Sequence, residues 1–129
     1  MAHYEFDQFT AVRLHTSAAY SHDGKQVAFI ANTTGQFNIW VIPSGGGAAR
    51  QLTAFQDWAV RQLVWSHDDS KIAFTADKDG DENRQVYVIE SAGGWAKLIS
   101  AKLDRQYDLA GWSPDDSKLL YTANDEAEG

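Results

Sequence analysis

Cysteine is absent from the 129 residues, which excludes disulfide staples, thiolate metal sites and a thiol nucleophile. Basic residues are scarce: Lys and Arg number 11 against 18 Asp and Glu, for a formal net charge of -7. Such a surface repels a phosphate backbone and offers no polybasic patch to anionic lipid, so neither nucleic acid nor membrane is expected as a partner. No apolar run approaches the roughly 20 residues of a membrane helix. The first residues carry His3, Glu5, Asp7 and Gln8 where a signal peptide needs an apolar stretch, so the expected location is cytoplasmic. What is present is a hydrophobic fraction of 43%, an aromatic fraction of 12% and five Trp, the composition of a globular chain of about one domain.

Self-similarity organises it. Tyr20-Ser21-His22-Asp23-Gly24-Lys25-Gln26-Val27-Ala28-Phe29-Ile30-Ala31 aligns without gaps to the segment from Trp65 to Ala76, and again to that from Trp112 to Ala123. Ser21, Ser66 and Ser113 are thus 45 and then 47 residues apart. A second block, Asn38-Ile39-Trp40-Val41-Ile42 followed by Gly46-Gly47 and Leu52-Thr53, is echoed by Gln85-Val86-Tyr87-Val88-Ile89, Gly93-Gly94 and Ile99-Ser100.

Each unit reads as four short strands separated by turn residues. The first is expected over Thr16 to Ser21, Gln26 to Asn32, Gln36 to Pro43 and Ala49 to Thr53. The second is expected over Arg61 to Ser66, Lys71 to Ala76, Arg84 to Glu90 and Ala96 to Ser100. The middle strands, such as Val27-Ala28-Phe29-Ile30, are continuous apolar runs, so both faces of each sheet must be covered. Four-stranded units of about 45 residues stacked on both faces describe an all-β chain with propeller architecture.

The Ser-Pro-Asp-x-x-Lys-type turn, the apolar strand after it, the Ile/Val-Trp/Tyr-Val strand and the Gly-Gly pair resemble the repeat of TolB-like propellers (PD40, WD40-like). They equally resemble the N-terminal propellers of prolyl oligopeptidase (S9) serine peptidases. Gly35 to Trp40, Gln51 to Arg61 and Phe74 to Glu82 are more similar to the S9 propellers. His22 and His67 depart from the pattern, standing where the usual turn Pro survives only as Pro114. The resemblance implies a non-catalytic propeller segment that covers a hydrolase domain and restricts which peptide substrates enter. The other reading it allows is a stand-alone TolB-like protein-binding module.

The strand count leaves the ring incomplete. Residues 1–15 are read as a lone outer strand (Phe6 to Thr10) and linker, 16–60 as the first blade, 61–107 as the second, and 108–129 as the first two strands of a third. About two and three-quarter blades fall short of the four to eight that close a ring. The two end blades should therefore present bare apolar faces. Expected partners are a second copy of the chain, or the remainder of a longer propeller with its hydrolase domain.

Candidate chemistry is sparse, and no catalytic residue, ligand-binding residue, metal ligand or cofactor is assigned. The S9 hydrolases use a Gly-x-Ser-x-Gly elbow; the nearest string here, Gly111-Trp112-Ser113-Pro114-Asp115, carries only the repeat serine also found at Ser21 and Ser66. His22 and His67 are expected to be exposed turn residues in different blades, and His3 and His15 lack ligand spacing. Asp77 to Asn83 reads as a solvated corner that fails the EF-hand template for calcium, with Glu82 at the turn-glycine position. Asp68-Asp69 and Asp115-Asp116 read as turn residues rather than acid/base pairs. Gly45-Gly46-Gly47 lacks the helix and Lys-Ser/Thr of a phosphate loop. Trp40, Trp65 and Trp112 are expected in the core or blade-interface packing, whereas Trp58 and Trp95 fall in connections that could line a rim or an interface.

Overall fold

A computed structural model describes residues 18–78, 83–100, 102 and 104–124. The first four-stranded sheet runs β1 (Ala18–Tyr20), β2 (Gln26–Ala31), β3 (Asn38–Pro43) and β4 (Arg50–Gln51). The second repeats it through β5 (Trp58–Trp65), β6 (Lys71–Lys78), β7 (Gln85–Glu90) and β8 (Lys97–Leu98). A third, two-stranded sheet holds β9 (Gln106–Trp112) and β10 (Leu119–Asn124). All pairings are antiparallel between chain neighbours. The first strands of the units, β1, β5 and β9, contact one another in succession, so the blades are arranged side by side about their innermost strands. The fold is an open, partial β-propeller of all-β class. The lone outer strand expected at Phe6 to Thr10 lies outside the described residues.

The continuous apolar runs do what their pattern requires. In β2, Val27, Ala28, Phe29, Ile30 and Ala31 are all buried, and in β6 so are Ile72, Ala73, Phe74, Thr75 and Ala76. Ala28, Ile30, Ile39 and Val41 of blade one join Trp65, Ile72, Phe74 and Ile89 of blade two in one core. Each Ile, Val or Phe side chain so taken from water contributes about 1.5–3 kcal/mol. The connection between the blades adds Phe55, which lies 6.0 Å from the Phe74 ring and 5.6 Å from Tyr87. Phe74 and Tyr87 are cross-strand partners and stack at 5.3 Å with 8° between planes.

Strand limits differ from the sequence-based expectation at two kinds of place. β5 starts at Trp58 rather than Arg61, because Trp58, Ala59 and Val60 pair with Lys78, Asp77 and Ala76 before a bulge at Arg61. The bulge frees Arg61 to reach Asp77, with Nε donating to Oδ2 at 2.9 Å. Asp77 is therefore a buried residue of β6, 4% exposed and ion-paired, and not part of a solvated corner; residues 79–82 of that corner lie outside the described residues. The outer strands β4 and β8 shrink to two exposed residues each.

Buried polar side chains close the blades in a repeated way. Asn38 Oδ1 accepts from Thr53 Oγ (2.8 Å) and the Phe55 amide (2.8 Å), while the Thr53 hydroxyl accepts from the Ile39 amide (2.9 Å). Forty-seven residues later Gln85 Oε1 accepts from Ser100 Oγ (2.7 Å), whose hydroxyl accepts from the Val86 amide (3.1 Å). These groups are nearly inaccessible to water, and their mutual pairing removes the desolvation cost that each alone would incur. The bonds fasten the third strand to the segment leaving for the next blade.

Candidate functional site: the blade junctions

The repeat serines are the first residues to place. Ser21 Oγ donates to Asp23 (2.7 Å) and accepts from the Gln26 amide (3.1 Å). Ser66 does the same with Asp68 (2.8 Å) and the Lys71 amide (3.0 Å), and Ser113 with Asp115 (2.9 Å) and the Lys118 amide (3.0 Å). Each hydroxyl is thus spent on closing its own turn, the opposite of a nucleophile held against a general base. The turn carboxylates are correspondingly acidic. Ser70 donates to Asp68 from both hydroxyl and amide, and with Ser66 this lowers Asp68 from 3.8 to about 2. Ser117 and Ser113 lower Asp115 to about 2 in the same manner.

His22 and His67 do lie in different blades, yet the rotation brings them together: their ring centroids are 5.2 Å apart. The same step between blades covers the shortest distance near the innermost strands, which contact one another, so equivalent turns end up adjacent there. Among the described residues no group of three or more potential metal ligands forms. The imidazoles instead take part in a clamp between turns. Asp69, in the left-handed region at φ 63, accepts the His22 amide (2.7 Å), the Asp23 amide (3.0 Å) and His22 Nδ1 (3.2 Å). Asp116, at φ 62, repeats the pattern on blade two with the His67 amide (2.9 Å), the Asp68 amide (3.0 Å) and His67 Nδ1 (2.8 Å). Burial acts to raise the Asp116 pKa, but the His67 and Asp68 donors outweigh it and hold the carboxyl below its ordinary value.

Other bonds recur with the same step. Trp65 Nε1 donates to the Ala19 carbonyl (3.1 Å) and Trp112 Nε1 to the Val64 carbonyl (3.3 Å). The Val60 amide reaches the Phe37 carbonyl and the Tyr107 amide the Arg84 carbonyl, both at 3.0 Å. At one repeat-equivalent pair the chemistry changes: Arg61 lies 5.7 Å over the Phe37 ring, whereas Arg84 meets Asp108 as an ion pair at 2.6 Å. Trp65 and Trp112 are thus junction residues. Trp58 corrects the expectation that it falls in a connection: it belongs to β5 and packs edge-on to Tyr87 at 6.0 Å. Trp95 stays in a connection and is 96% exposed.

The clamp stops at both ends of the described chain. Gly24, at φ 73, occupies the position of Asp69 and Asp116 and has no carboxylate. Pro114 occupies the position of His22 and His67 and has neither an amide hydrogen nor an imidazole. The end faces also differ. Val27, Phe29 and Ala31 of blade one are buried, with Tyr20 40% exposed, so that face is not the bare apolar surface expected from the sequence. On blade three Leu120 is 48% exposed, while its equivalents Ala28 and Ala73 are fully covered.

The sequence comparisons agree with this geometry. The PD40 model, described as the TolB beta propeller domain, matches residues 7–128. Dipeptidyl aminopeptidase BIII of Pseudoxanthomonas mexicana is 29% identical over 68 residues, which span 52% of this chain and 10% of that protein. Dipeptidyl peptidase family member 6 of Caenorhabditis elegans is 32% identical over 74 residues, 57% of this chain and again 10% of the relative. The aligned stretch is therefore a small part of either peptidase. Among solved structures, TolB from Acinetobacter baumannii superposes with a TM-score of 0.68 at 23% identity, over 86% of this chain and 27% of that one. A prolyl endopeptidase superposes at 0.57 with 13% identity, covering 88% and 19%. With the family model covering nearly the whole sequence and the blades in place, the chain belongs to the PD40 family of TolB-type β-propeller domains.

Proposed function

We propose that the chain is a non-catalytic scaffold: a propeller segment of an S9-type peptidase that limits which peptides reach a hydrolase domain and holds the neighbouring blades. The observation that carries this reading is the use of the three repeat serines, each of which both donates and accepts within its own turn. The two peptidase relatives support the subfamily, since both align to this propeller repeat. A test joins the segment to the reading frame that follows it. Further four-stranded repeats and then a Gly-x-Ser-x-Gly elbow are expected, and removing residues 1–129 from that protein should let long polypeptides be cleaved that the intact enzyme refuses. Unchanged length selectivity in the truncated enzyme would remove the gating role.

A second reading, a TolB-like protein-binding module, is supported by the family model, whose description names the TolB propeller. An immediate stop after Gly129, with no hydrolysis of dipeptidyl substrates by the chain, would select it.

A further inference from the structure

Position 62 breaks the repeat. Its equivalents one unit earlier and one unit later are Ser17 and Leu109, whereas blade two carries a glutamine there. Gln62 lies on β5, the innermost strand of blade two, just past the bulge. Two donors hold its carboxamide. The buried Thr75 hydroxyl donates to Oε1 at 3.1 Å from within the blade, and the Leu109 amide donates to the same oxygen at 3.3 Å from β9 of blade three. A backbone amide can only donate, so this contact fixes which end of the carboxamide is the oxygen. Nε2 is thereby turned away from both donors; among the described residues it has no hydrogen-bond partner, and it is not sealed from solvent. The packing of the two blades makes no use of this second group.

The same residue borders an open crevice. Gln62, Leu63 and Val64 of β5 and Leu109, Ala110 and Gly111 of β9 line a space of about 260 Å³ between the two innermost strands. One wall is fixed by Trp112, whose Nε1 donates to the Val64 carbonyl at 3.3 Å. Gly111, at φ 132, has no side chain, and a Cβ there meets nothing within 4 Å, so an incoming group can come close to the β9 backbone. None of the lining residues is charged. The geometry points to a binding site for a neutral carboxamide, whose carbonyl oxygen accepts from Gln62 Nε2 while a short aliphatic group packs against Val64 and Leu109. A charged ligand would find no counter-charge in these walls. A hydrocarbon would leave Nε2 without an acceptor. The volume is near the lower end of small-molecule sites, which start at about 300 Å³, and too small for a folded partner. The site goes beyond the scaffold reading and does not depend on it.

The test titrates the isotope-labelled 129-residue chain in NMR spectra with two probes: N-acetyl-dialanine N-methylamide, a blocked peptide, and isobutyramide, a free amide. Saturable shifts are expected at the Gln62 side-chain NH2 and at the Leu109 and Gly111 amides. Tighter binding of the blocked peptide assigns the site to main-chain carbonyls, and tighter binding of isobutyramide to small free amides; either supports the carboxamide class. Acetate should leave the same signals in place. Gln62→Glu keeps oxygens for Thr75 and Leu109 but removes the outward donor, and should weaken the better probe by about tenfold. Ala110→Phe, at an exposed position, fills the mouth of the crevice and should weaken it as much. Circular dichroism of both variants separates lost binding from unfolding. Shifts that do not saturate, that centre elsewhere or that persist in folded Gln62→Glu overturn the inference, as does acetate binding equal to that of the amides. None of these outcomes touches the gating reading, which fails only on the length selectivity of the longer enzyme.

Discussion

Blade two and blade three are built from nearly the same words, yet the structure treats them differently. Ala73, Phe74 and Thr75 are fully covered, because blade two has a neighbour on each side. Their equivalents Leu120, Tyr121 and Thr122 lie on β10, which among the described residues pairs with β9 alone, and Leu120 and Thr122 are exposed. The same residue types thus acquire different energetic weight from their position in the stack, as expected for units whose stability is shared with adjacent units. Sequence patterning alone assigns both segments to strands; only the arrangement of blades tells which of them is a core.

Substitutions at equivalent positions sharpen that contrast. Phe74→Ala should cost about 3–5 kcal/mol, as removal of a fully buried aromatic from a packed core does. Tyr121→Ala, at the matching position of blade three, should cost less than half as much in urea melts of dilute chain. Equal losses would mean that blade three is covered as well as blade two. A smaller effect is expected from the buried polar pair: Gln85→Leu removes the acceptor of Ser100 and the donor to the Arg105 carbonyl, at about 1–3 kcal/mol. Thermal melts would contradict the network if this variant were as stable as the parent.

The clamp ranks next. Asp69→Gly keeps the left-handed backbone but removes three acceptor contacts to blade one, and should cost about 1 kcal/mol. Hydrogen exchange should then quicken at the His22 and Asp23 amides while the Ser113 turn is unaffected. Acid should act on the turns in a defined window. Asp68 and Asp115 have folded pKa values lowered from 3.8 to about 2, so their contribution is fully present above about pH 4 and is lost as pH falls through about 2. Amide exchange at Ser70 and Ser117 should rise in that window, and no change there would show that these carboxylates are not held by the turn. The smallest effect is reserved for Leu120→Ser, which should shift the stability of the chain by about 0.5 kcal/mol or less.

The repeat was legible because its strands must be apolar on both faces and its turns need Gly, Asp and Ser at fixed places. Those constraints locate β2, β3, β6 and β7 to within two residues at each end. The early start of β5 was not legible, since the bulge at Arg61 depends on a cross-strand partner, Asp77, sixteen residues away. Nor was the clamp, whose members sit 46 to 49 residues apart and meet only through the step between blades. A signal was nevertheless present: His replaces the turn Pro in the first two units, and Asp replaces the turn Gly in the unit that follows each. Reading those two departures jointly would have found the contact.

The outer strands β4 and β8 are two exposed residues long, while the innermost turns are tied by three-point carboxylate contacts. Stiffness therefore declines from hub to periphery, with the Arg50 bond to the Ser91 carbonyl as a peripheral tether. A fan built this way flexes by spreading its outer ends about a pinned centre, so an applied load would part the blades at their margins first and leave their sequence around the hub intact.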